Sequence, residues 1–126
     1  MVLNYLDFDV TDDDSGAQSW DAMASIAAQR LPEALHEAET VLRWAHSAFG
    51  LPDTNDAELA QWNFDVQLVQ SSTAHRARDL EPRFDAATGC IQANAAKAEG
   101  GLCVLTLTLS GSATFAEAFN VQFQWA

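Results

Sequence analysis

Residues 6–16, L-D-F-D-V-T-D-D-D-S-G, gather the side chains of this 126-residue chain best suited to chemistry. Asp7 and Asp9 flank an apolar residue, and Asp12, Asp13 and Asp14 follow in a row. Carboxylates so spaced can attack phosphorus, hold a hard divalent cation through oxygen, or attract a cationic partner. Alternation makes the stretch a half-buried strand running into a solvated turn. Leu6, Phe8 and Val10 fall on one face, and Tyr5, Asp7 and Asp9 on the other.

Asp7, Asp9 and Thr11 form a D-x-D-x-T pattern that resembles the first motif of haloacid dehalogenase-type phosphatases. In that family the first aspartate attacks phosphorus beside Mg²⁺, and Ser110 at the end of the last strand stands where its second motif would. The resemblance implies a parallel-sheet core and a metal-dependent hydrolase or phosphatase using Asp7 and Asp9. The family also places a lysine after that strand and an acidic pair beyond it. Here Lys97 precedes the strand and only Glu117 follows.

Other metal and nucleophile patterns fit less well. A calcium loop starting at Asp12 would put Gly16 fifth instead of sixth, and Met23 where the bidentate glutamate belongs. His36 and His46 are ten residues apart, His75 is remote, and no H-x-x-x-H or C-x-x-C occurs, so zinc has no support. Cys90 and Cys103 lie in apolar, strand-like surroundings, which predicts reduced, partly buried packing residues. Ser112, between the last strand and a helix, is expected to cap that helix. His75, Arg76, Arg78 and Arg83 make the one basic cluster, read as solvated loop charge. The expectation is no cofactor, no metal and no catalytic residue.

Charge is the more telling signal. Eighteen acids against six bases give a net −12. Residues 1–63 hold twelve acids and two bases, whereas residues 64–126 hold six and four. Such a field repels nucleic acid and anionic membranes and attracts basic partners. No apolar run is long enough to span a membrane, and M-V-L-N-Y-L-D-F-D has no basic n-region, so a cytoplasmic, bacterial setting is expected.

The elements that would position these groups follow from periodicity. Residues 2–10 and 18–26 alternate and read as a hairpin joined by T-D-D-D-S-G-A. Leu31, Leu35, Ala38, Leu42, Ala45 and Phe49 form a helical stripe begun near Pro32 and stopped at Gly50; Glu33, His36, Glu37, Glu39 and Arg43 lie opposite. Glu39 and Arg43 have the spacing of a helical ion pair. Q-W-N-F-D-V-Q-L-V-Q alternates again, a weaker pair L-E-P-R-F-D and C-I-Q-A-N follows, and L-C-V-L-T-L-T-L-S leads into a last helix.

This order predicts one α+β domain over residues 1–126: a single, mainly antiparallel sheet with two helices packed on one face. The other face would present Tyr5, Asp7, Asp9, Asp21 and Asp65, an acidic binding surface. The functional expectation is a non-enzymatic protein–protein interaction module of inhibitor, immunity or chaperone-like type. Its partner would be a basic protein or a second copy.

Overall fold

The computed structural model describes residues 5–12, 16–50, 62–72, 75–94 and 101–123, with backbone alone for residues 72 and 75–78. Strands β1 (Phe8–Asp12) and β2 (Gln18–Ala27) form the first hairpin. A 3-10 turn, Ala28–Arg30, leads into helix α1 (Leu31–Phe49). Then come β3 (Trp62–Ser72), β4 (His75–Asp79), β5 (Arg83–Asp85), β6 (Cys90–Gln92), β7 (Leu102–Gly111) and α2 (Ala113–Phe123). The main sheet has the order β1-β2-β7-β3-β4, with every neighbouring pair antiparallel, and β5 and β6 form a separate ribbon. The expected α+β class holds, with the ribbon added.

The last strand takes the central place. Its inward residues Cys103, Leu105, Leu107 and Leu109 are all fully buried. Cross-strand rows Trp20–Leu109–Phe64, Ala22–Leu107–Val66 and Ala24–Leu105–Leu68 build the inner face. Helix α1 lies over β2 and β7, using Ala34, Ala38 and Ala45, whose small side chains let it approach closely. Leu31, Val41 and Leu42 complete its buried stripe, while Leu35 and Phe49, expected within it, are half-buried at its margin.

Helix α2 closes the layer with rings. Trp62 stacks on Phe115 at 5.6 Å, Trp20 meets Phe119 at 4.5 Å, and Trp44 meets Phe123 edge-on at 5.5 Å. Its start is capped as expected, with the Phe115 amide donating to Ser112 Oγ at 3.3 Å. Gly111 makes this turn feasible, because a Cβ there would fall 2.3 Å from the Phe115 ring.

Three expectations are corrected. Residues 75–79, read as loop, form edge strand β4 against β3, through a register shift between Gln70 and Ser72. The Glu39 carboxylate bypasses Arg43 and accepts the Ile91 amide at 2.7 Å, which pins the ribbon to α1. Cys90 is exposed on that ribbon, because its strand alternates with buried Ile91; Cys103 alone packs in the core. Among the described residues, no helix is long and apolar enough to cross a membrane.

Candidate functional site: the open face of the sheet

Directly opposed residues share a face, so the register fixes what the outer side of the sheet presents. One row reads Asp9–Asp21–Thr108–Asp65 across four strands. All three carboxylates are exposed, and none makes an ion pair among the described residues. Asp21 accepts the Thr108 hydroxyl at 2.9 Å, and Asp65 accepts from Gln67 Nε2 at 3.2 Å. Asp7 precedes β1, exposed between buried Leu6 and Phe8. Three of the five expected site residues, Asp9, Asp21 and Asp65, thus share this side, with Asp7 exposed just ahead of β1.

Tyr5 does not. Its amide donates to Glu37 Oε1 at 2.9 Å and its hydroxyl to Glu33 Oε2 at 3.0 Å, so it sits against α1. The chain has not yet entered the sheet at Tyr5, and the Tyr5 and Leu6 amides find their acceptor on the helix instead. Strand alternation, extended back to Tyr5, assigned the wrong side.

Beyond the acidic row the same face is neutral and partly apolar: Met23 shares a row with Thr106 and Gln67, and Val104 and Val69 share the next with Ser25. Met23 is 66% exposed, the half-buried pair Val104 and Val69 follows two residues on, and Leu102 is 51% exposed. Asp79, opposite Val69, adds a carboxylate at the β4 side. This strip was missed, although Leu102 and Val104 occupy the outward phase of L-C-V-L-T-L-T-L-S. At the other end, Thr11, Ser19, Ser110 and Asn63 form a row of hydroxyl and amide groups. That row opens into a cleft of about 410 Å³ that also reaches Asp12, Gln18 and Ser112. Among the described residues, no element covers the outer face.

The geometry bears on the phosphatase resemblance as well. The parallel core it implies is absent, since every pairing of the main sheet is antiparallel and β2 separates β1 from β7. Ser110 aligns through Ser19 with Thr11, one row from Asp9. Among the described residues, no three His, Cys, Asp or Glu side chains converge to hold a metal ion. Asp13 and Asp14, and the side chains of His75, Arg76 and Arg78, lie outside the described set; Arg83 is exposed on β5. His46 is a packing residue, its Nδ1 2.7 Å from the Leu42 carbonyl oxygen and its ring against Trp62 and Phe84. Burial pushes the Cys103 thiol above its ordinary value of 9.0, so it stays protonated and inert. No family model, curated protein or solved structure matches this chain.

Proposed function

We propose that the protein is a non-catalytic interaction module that docks a basic protein partner on the outer face of its sheet. The supporting observation is the row Asp9–Asp21–Thr108–Asp65, three exposed carboxylates without ion-pair partners among the described residues. The chain carries −12 overall, and a field of one sign accelerates encounter with an oppositely charged surface. Exposed like charges on one sheet face add little to the fold, and a docking role gives them a use. An inhibitor, an immunity-type protein or a chaperone-like factor would use such a surface alike.

The test compares the protein with its Asp9→Asn, Asp21→Asn, Asp65→Asn triple variant, each immobilised and exposed to native lysate at low and high salt. A basic protein retained at low salt by the parent and lost by the triple variant is the expected result. Equal retention by both forms, or none by the parent, sinks the proposal.

A further inference from the structure

We infer that the apolar strip beside the carboxylates is where a partner gains its affinity, and that the segment docked there is amphipathic. Basic side chains would lie over Asp9, Asp21 and Asp65, and apolar ones over Met23, Val104 and Leu102. The inference rests on the basic-partner reading above and specifies the contact segment. Single exposed apolar residues on a surface are ordinary, but several on one face with a charged rim mark an interaction site. Here Met23 on β2 and Leu102 on β7 are 66% and 51% exposed; Val104 lies in the row between theirs, Val69 beyond it on β3, and Ser25, Thr106 and Gln67 are the uncharged polar residues among them. Asp21 and Asp65 border the strip at one end, and Asp79 borders it on β4. That is the anatomy of an interface, with an uncharged centre inside a polar rim.

The charge selects the occupant. Every charged side chain described on this face is a carboxylate, so a second copy laid against it would oppose acid with acid. Like charges brought together across an interface are disfavoured, and the complement is a basic segment. Thr108 and Val104 are four positions apart on β7, about 14 Å at strand rise. A short strand, or two to three turns of helix, covers that span. A polybasic chain without apolar side chains would engage the carboxylates and leave the strip wet. The two halves therefore divide the work: the carboxylates govern association rate and its salt dependence, and the strip governs dissociation.

The test uses two synthetic peptides of equal length and lysine content, titrated into the intact protein at low salt by calorimetry. One carries lysines at one end and leucines at the other; the second has serine for each leucine. The lysine–leucine peptide is expected to bind about tenfold tighter, the scale of burying one or two apolar side chains. Its binding should also shift the methyl resonance of Met23. Met23→Ser with Val104→Thr should abolish the advantage, whereas Val121→Ser, at an exposed position on α2, should keep it. Equal affinity for both peptides, or an advantage that survives Met23→Ser with Val104→Thr, overturns the strip and leaves the basic-partner reading standing. Failure of both peptides to bind overturns the two together.

Discussion

The protein carries two sets of carboxylates that look alike in composition and behave differently in space. On α1, Glu33, Glu37 and Glu39 turn back to the chain: Glu37 accepts the Tyr5 and Leu6 amides, Glu33 the Tyr5 hydroxyl, and Glu39 the Ile91 amide. On the outer sheet face, Asp9, Asp21 and Asp65 stand exposed, Asp9 opposite Asp21, with Asp21 accepting from the Thr108 hydroxyl and Asp65 from the Gln67 amide. The difference is one of reach and backbone supply. A glutamate on a helix can extend past the edge of its element to a segment whose N–H groups lack sheet partners. An aspartate on a strand has a shorter side chain that stands off the sheet face, away from the amides in the plane of the ladder. The first set therefore ties segments of the fold together, and the second faces solvent.

Glu39→Ala should show the largest effect on this comparison. It leaves the Ile91 amide without its acceptor, and an orphaned partly buried donor costs about 1–3 kcal/mol. Hydrogen exchange at the Ile91 amide should speed up more than exchange in β7, because the ribbon is held by α1 through that bond. Unchanged exchange at Ile91 would place Glu39 with the dispensable acids. Glu37→Ala follows, at about 1 kcal/mol or somewhat more in chemical denaturation, with Glu37→Gln recovering part of it since an amide oxygen still accepts.

Alkaline titration gives a smaller effect that is independent of the carboxylates. The native state keeps the Cys103 proton where the unfolded chain has lost it. Stability from this group is thus full below pH 9.0 and drains as pH rises from there toward the native value. Cys103→Ala should remove that part of the slope while lowering the baseline, and a thiol reagent should label Cys90 at once but Cys103 only on unfolding. The smallest effect belongs to the outer face. Asp9→Asn, Asp21→Asn and Asp65→Asn together should change stability by no more than about 0.5 kcal/mol, with less dependence of melting on salt than in the parent. A loss comparable to that of Glu39→Ala would erase the distinction between the two sets.

Much of the architecture was legible in residue order, and the failures are specific. The alternation of Cys103, Leu105, Leu107 and Leu109 announces a strand with one apolar face, and such a strand has a single way to bury it. Tyr5 went astray because alternation holds only while the backbone stays in the sheet. Strand β4 was hidden because H-R-A-R-D has neither alternation nor β-branched residues, so its strand state comes from pairing with β3 and not from local preference. The apolar strip was overlooked because Val104 and Leu102 sit in a segment whose inward leucines dominate the pattern.

The sequence by itself determined the charge, the types of the longer elements, the inward set of each long strand and the sidedness of Asp9 and Asp21. These are local properties, set by a two-residue or 3.6-residue period together with composition. Only the tertiary structure decided that the last strand enters between β2 and β3, which brings Asp65 into one row with Asp9 and Asp21 across Thr108. It likewise decided that the acids of α1 are consumed by Tyr5, Leu6 and Ile91. Both are long-range pairings, and no local period encodes which distant backbone a strand or a carboxylate will meet.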